Sequence, residues 1–89
     1  MSEIKEEIRS EMHHGFGLKL TSEQIDDIQA NLNFKHFDTV ERSECIDYIA
    51  RKITNMSWPL NGDNVEYKKQ FYKELEEKSK KLGYIFKKH

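Results

Sequence analysis

The sequence predicts an all-α fold, a small bundle of three to four helices joined by short loops. Apolar residues recur at helical spacing in four segments, and a capping-box pattern stands at the start of three of them. No segment sustains the two-residue alternation of a half-buried strand. Because 89 residues make one small domain, we expect a single helical domain over residues 1–89. Its helices are predicted at about 3–13, 22–33, 39–55 and 64–82.

The first predicted helix, residues 3–13, has a narrow apolar face with acidic side chains around it. Its stripe consists of Ile4, Ile8 and Met12, which lie four residues apart. Ser2 is the expected N-cap, and Gly15 and Gly17 are expected to end the helix. Because a stripe one residue wide docks weakly, we expect residues 1–20 to form a loosely docked N-terminal arm.

The second predicted helix begins with a capping box. Thr21 is the expected cap, and Gln24 is spaced to reach back to its backbone, which sets the helix start at about Ser22. The predicted buried stripe consists of Ile25, Ile28 and Leu32. In the connection that follows, Phe34 and Phe37 are expected to fill the corner between two helices.

The third predicted helix is the one on which we expect the others to pack. Asp38 and Glu41 repeat the capping pattern at its start. Its broad apolar arc consists of Cys45, Ile46, Ile49, Ala50, Ile53 and Met56. We expect the helix to end near Asn55, because the residue before Pro59 disfavours helical backbone angles.

The last predicted helix follows a Trp-Pro-Leu corner and an Asn-Gly turn pair. Asp63 and Glu66 form a third capping pattern, and Gly83 stands where a helix stop is expected. The side predicted to face the bundle carries Val65, Phe71, Tyr72, Leu75 and Leu82. Residues 84–86 are too apolar to remain in solvent, so we expect this tail to fold back on the bundle.

The composition predicts a soluble, cytoplasmic protein. A run of about 18 apolar residues, which a membrane span needs, is absent from the sequence. The acidic N-terminus also differs from a secretory signal. Cys45 is the single cysteine, which excludes an internal disulfide and fits a reducing compartment.

Charge is distributed unevenly along the chain. Residues 1–50 carry five Lys or Arg against eleven Asp or Glu, a net charge of −6. Residues 51–89 carry ten against five, a net charge of +5. We favour a match between helices that pack together, since exposed ion pairs are common and contribute little. The alternative is that this charge separation steers a charged partner or a second copy of the chain, as in a homo-oligomer.

The histidines and the cysteine do not have the spacing of a metal site. His13 and His14 are adjacent, so on a helix they point about 100° apart. His36 and His89 lie in unrelated segments, and Cys45 has no second cysteine nearby. Structural zinc sites use four closely spaced Cys or His ligands. We therefore expect no metal.

Catalytic and cofactor-binding patterns are not recognisable either. A calcium loop starting at Asp38 would place Val40, Arg42 and Ile49 at ligand positions, and none of the three can coordinate Ca²⁺. Cys45 lies on the buried arc, where a thiol is usually inert. We therefore expect no enzyme activity and no cofactor.

Nucleic-acid binding is the alternative function. The second and third helices have the order of a helix-turn-helix, and the C-terminal third of the chain is basic. However, the would-be recognition helix begins with acidic residues, which phosphate groups repel. These residues are Asp38, Glu41, Glu44 and Asp47.

Protein binding by a small regulatory protein is the function that we favour. Trp58 stands at a helix junction, where an aromatic ring is presented to a partner more easily than within a helix. We predict Trp58, Leu60 and Tyr67 as partner contacts. The competing interpretation places Trp58 in the core, because tryptophan is highly buried on average. A second candidate contact, for a basic partner, is the acidic face formed by Glu41, Glu44 and Asp47.

Overall fold

A computed structural model describes residues 3–60 and 62–87 of the chain. It confirms the predicted small, mostly all-α bundle and adds a sheet of two short strands. Along the chain the elements are α1 (Glu3–Phe16), β1 (Leu18–Lys19), α2 (Ser22–Leu32), α3 (Thr39–Thr54), α4 (Val65–Leu82) and β2 (Ile85–Phe86). Within these described ranges, no helix combines the length and the apolar character needed to cross a bilayer.

The core is built around α3, as the sequence predicts. This helix packs against α4 and α1, and its predicted arc is buried apart from Met56, which is half-buried. The buried arc residues are Cys45, Ile46, Ile49, Ala50 and Ile53. Thr54 is buried as well, and its hydroxyl donates to the Ala50 carbonyl oxygen at 2.8 Å. The one polar side chain of this face therefore has a hydrogen-bond partner.

The predicted end of α1 is wrong by about one turn. The helix continues through Gly15 to Phe16, because a glycine within a helix lowers stability without forcing a stop. Gly17 ends it instead. Its φ of 68° lies in the left-handed region, and its N–H donates to the His13 carbonyl oxygen at 2.9 Å.

The apolar stripe of α1 packs into the core although it is only one residue wide. Ile8 and Met12 are fully buried, and the helix packs against α2, α3 and β1. The loose docking of residues 1–20 stays a prediction. The N-cap expected at Ser2 lies outside the described residues.

Two asparagines end α2 and α3, and the end of α3 at Thr54 agrees with the stop predicted near Asn55, although its cause differs from the predicted one. Asn33 follows α2 with a φ of 49°, and Asn55 follows α3 with a φ of 62°. Each caps its helix by donating its backbone N–H to a carbonyl four residues earlier. The steric effect of Pro59 on its neighbour comes too late in the chain to end α3. Asparagine tolerates this left-handed conformation better than most residues.

Helix starts follow the predicted capping boxes in two of three cases. Gln24 N–H donates to Thr21 Oγ1 at 3.1 Å, and Asp38 N–H donates to Glu41 Oε1 at 3.1 Å. The box predicted at Asp63 and Glu66 is wrong, because Asn64 is the cap of α4. The Asp63 carboxylate accepts instead from the Leu60 N–H at 2.6 Å, which closes the turn before α4. Asn61, in the expected turn pair, is not among the described residues.

The apolar C-terminal tail folds back on the bundle, as predicted, by forming β2. This strand pairs antiparallel with β1, with Leu18 opposite Phe86 and Lys19 opposite Ile85. Lys87 N–H extends the pairing by donating to the Gly17 carbonyl oxygen at 2.7 Å. The strands were not predicted because two residues are too few to establish an alternating pattern.

The buried face of α4 is narrower than predicted. It consists of Phe71, Leu75 and Ser79, one residue per turn. Val65, Tyr72 and Leu82, which were expected on this face, are exposed. Val65 and Tyr72 project about 100° or more from Phe71 around the helix, and Leu82 is its last residue. Separate apolar side chains of α4 therefore remain exposed to solvent.

Candidate functional site: an apolar groove

A groove of about 920 Å³ runs between α4, β2 and the residues at the ends of α1 and α3. Its walls are mainly apolar, and it is large enough for several side chains of a partner. The lining residues are Gly15, Phe16, Trp58, Tyr72, Leu75, Glu76, Ser79, Lys80, Gly83, Tyr84, Ile85 and Phe86. Tyr72 is 49% exposed and Ile85 is 53% exposed, so both present apolar surface to solvent here. The groove is the candidate binding site.

Trp58 forms part of the groove wall and is half-buried. Its ring meets the rings of Phe71, Phe16 and Tyr72 edge to face, at centroid distances of 5.2, 5.4 and 6.1 Å. Because Phe71 is fully buried, the indole is anchored in the core on one side. Its other side faces the groove. Trp58 is therefore packed partly in the core and partly in the groove wall, and its role as a partner contact stays a prediction.

Two hydrogen bonds with residues outside the groove lining hold the backbone around Trp58. The Trp58 N–H donates to Asp47 Oδ1 at 3.0 Å. The Tyr67 hydroxyl donates to the Ser57 carbonyl oxygen at 2.6 Å. Asp47 Oδ2 also accepts from Arg51 at 2.8 Å, and Arg51 in turn donates to the Ser57 hydroxyl at 2.8 Å, which adds an indirect contact to the corner. Asp47 and Tyr67 thus position Trp58 and do not line the groove.

The other residues predicted as partner contacts are not brought together. Leu60 is 71% exposed but lies outside the groove lining. Glu41 is half-buried at the start of α3 and caps it, while Glu44 is exposed. The predicted acidic face therefore divides into a helix cap, an exposed carboxylate and the support of Trp58.

Sequence reasoning missed most of the groove. Phe16, Tyr72, Ile85 and Phe86 line it, yet they come from three separate segments of the chain. The available signal was the apolar tail at residues 84–86, which had to dock somewhere. Where it docks depends on the pairing of β2 with β1, and no local pattern encodes that pairing.

One face of the β1–β2 sheet, beside the groove, is positively charged. Lys19 and Lys87 lie on the same outward face as Ile85. The pKa of Lys19 is lowered, first by its close polar contact with the Lys87 ammonium and then by repulsion between the two charges. Lys80 adds a third ammonium group from the groove lining. Lys80 lines the groove, whereas Lys19 and Lys87 lie outside its lining, on the neighbouring sheet face. We call the three ammonium groups together the basic rim.

His36, which lies far in the sequence from the other histidines, is close to two carboxylates at the start of α3. Its Nδ1 lies 3.4 Å from Glu41 Oε1 and 3.6 Å from Asp38 Oδ2. Such a group of one imidazole and two carboxylates has ligands that suit a divalent cation. However, Glu41 already accepts the Asp38 N–H, and both residues cap α3. Helix capping therefore accounts for this cluster. His89 is not among the described residues.

Two further groups of ionisable side chains serve the fold. Burial raises the pKa of the Cys45 thiol to about 12, so it is protonated at neutral pH. Asp27 of α2 accepts from the Tyr48 hydroxyl of α3 at 3.1 Å and from the Lys52 ammonium. Its pKa is lowered, mainly by the hydrogen bond from Lys52. This cluster joins α2 to α3.

Comparisons of the chain with protein-family models, with curated proteins and with solved structures find no match. The groove and its basic rim are the features of the molecule from which a function can be inferred.

Proposed function

We propose that this chain is a small, non-enzymatic regulatory protein of the cytoplasm that acts by binding another protein in the apolar groove. The observation that carries the proposal is the half-exposed Trp58, set in a groove with the exposed side chains of Tyr72 and Ile85. Tryptophan and tyrosine dominate the energetics of protein interfaces. The assignment to the cytoplasm is supported by the single, buried cysteine.

The corner that holds Trp58 favours binding because it is already ordered. Asp47 and Tyr67 fix the backbone on either side of the ring, so little conformational freedom is lost when a partner docks. Covering an exposed aliphatic side chain such as Ile85 contributes about 1 kcal/mol, since only about half of its area remains to be buried. Several such contacts are needed for micromolar affinity.

Site-specific cross-linking tests the proposal. A photoreactive residue placed at position 85 or 72 should form adducts with a protein in a lysate of the source cells. The same residue at position 60 is the matched control, because Leu60 is more exposed but lies outside the groove. Equal adducts at all three positions, or none at 72 and 85, would contradict the proposal.

Nucleic-acid binding remains the alternative proposal, supported by the basic C-terminal third. The opposite net charges of residues 1–50 and 51–89 are little offset by contact between them, because two of the ion pairs among described residues join the halves, Lys52–Asp27 and Arg51–Asp47. Retention on a DNA column that falls steeply with salt would favour this alternative. Passage through the column at about 50 mM salt would exclude nucleic-acid binding.

Sedimentation at several protein concentrations tests homo-oligomer formation.

A further inference from the structure

We infer that the groove binds an extended segment of a partner protein, which adds to the free edge of β2 and alternates apolar with acidic residues. This inference rests on the proposed function, because it specifies the partner of the same groove. It follows from the hydrogen-bonding direction of β2, from the course of the groove and from the charge of the sheet face.

The backbone N–H and carbonyl groups of Phe86 are directed away from β1. Lys87 N–H donates to the Gly17 carbonyl oxygen, so residues 17 and 87 form a hydrogen-bonded pair of the antiparallel ladder. Such pairs alternate with non-hydrogen-bonded pairs, which makes Leu18 and Phe86 the non-hydrogen-bonded pair. The Phe86 N–H and carbonyl oxygen are therefore directed to the opposite edge of β2. An added strand can bond to both.

The groove follows this free edge. Four consecutive residues, 83–86, line it. Successive side chains of a strand point to opposite faces, so the presence of both Ile85 and Phe86 in the lining fits a groove that runs along the edge of their strand. The opposite wall is α4, with Tyr72 and Leu75. An extended segment fits a channel that has a strand edge on one side and a helix on the other.

The two faces of the sheet determine the pattern of the bound segment. Leu18 and Phe86 share the inner face, which continues toward the core, whereas Lys19 and Ile85 share the outer face. A partner segment bound as a third strand directs alternate side chains to the inner face and to the outer face of the sheet. Its inward residues meet the apolar groove and must be apolar. Its outward residues lie beside Lys87, and opposite charges on neighbouring strands are favourable.

The lysine charges beside the groove favour an acidic partner segment over a second copy of the chain as the bound molecule. Within residues 3–60 and 62–87, no carboxylate forms an ion pair with Lys19, Lys80 or Lys87. The acidic residue of the groove lining is Glu76. A second copy that paired through its own β2 would bring like charges onto one face, which opposes such a dimer. An acidic segment supplies the missing counter-charges.

A random peptide library displayed on phage, with the full chain as bait, tests the pattern. We expect enrichment of peptides with apolar residues at every second position and Asp or Glu between them. Enrichment of apolar residues at helical spacing, enrichment of basic residues or no enrichment would overturn the inference.

The enriched peptide then tests the strand pairing by fluorescence anisotropy. Two variants of the peptide carry N-methyl groups on alternate backbone nitrogens. In one variant the methylated nitrogens face β2 and cannot pair with it, and in the other they face away from β2. We expect about fivefold weaker binding, or more, for the first variant and unchanged affinity for the second. Equal effects of the two variants would overturn the assignment to the strand edge.

Charge variants of the rim test the acidic preference. Lys87→Gln and Lys19→Gln should each weaken binding of the enriched peptide by about two- to fivefold at low salt. Lys35→Gln is the matched control, since this exposed lysine lies in the connection between α2 and α3. An equal loss in the control, or no loss in the rim variants, would contradict the role of the rim.

The proposed function can survive failure of this inference. If cross-linking at position 85 captures a protein while the library yields no alternating peptide, the groove binds a partner in another conformation. If neither experiment gives a signal, both the proposed function and the inference fail.

Discussion

Trp58 is expected to contribute to stability as well as to binding, and Trp58→Ala measures the first role. The side chain is half-buried and meets three other rings. Burial of about half of a tryptophan, roughly 100–125 Å², corresponds to about 2.5–3 kcal/mol. Allowing for partial relaxation around the site, we expect the free energy of unfolding to fall by about 2–3 kcal/mol.

This loss is large for a chain of this length. At about 0.05–0.15 kcal/mol per residue, a domain of 89 residues is stabilised by about 4–13 kcal/mol. Urea unfolding followed by circular dichroism should show a midpoint lowered by about 1 M or more. Leu60→Ala is the control and should change the free energy of unfolding by less than about 0.5 kcal/mol. A loss below about 0.5 kcal/mol for Trp58→Ala would refute the anchoring of its ring by Phe71.

Three further variants test the fold. Asp27→Asn should lower the free energy of unfolding by less than about 1 kcal/mol, because the pair with Lys52 is partly exposed. The pKa of Asp27 is lowered in the folded state, so this difference should be full near neutral pH and disappear as the pH falls below about 4, measured by urea unfolding. Gly83→Ala should destabilise by about 1–2 kcal/mol because its φ is 79°, whereas Gly15→Ala, within α1, should be neutral or stabilising in the same assay. Native Cys45 should resist alkylation by iodoacetamide and react only after unfolding; rapid native reaction would contradict its burial.

The helix starts and the central arc were predictable because their signals are local. A capping box needs only residues three apart, and Thr21 with Gln24 forms one that the structure contains. The arc of α3 is broad, so helical periodicity alone places Ile46 and Ile49 inside.

The residues that cap the helix ends and the groove were not predictable, for two physical reasons. The ends of α2 and α3 lie close to the predicted ones, but the left-handed conformation of Asn33 and Asn55 is one of several that asparagine adopts, so sequence alone does not identify them as the caps. The groove depends on pairing between residues 17–19 and 85–87, which are far apart in the chain. Long-range pairing of two such short strands leaves no periodic pattern.

The groove beside β2 is the proposed binding surface for a protein. Amide hydrogen exchange measured by NMR, with and without the enriched peptide, tests it most directly. The Phe86 amide should become protected when the peptide binds, while the Lys87 amide, already bonded to Gly17, should be protected in both states. Unchanged exchange at Phe86, with new protection at the start of α3 instead, would contradict the claim.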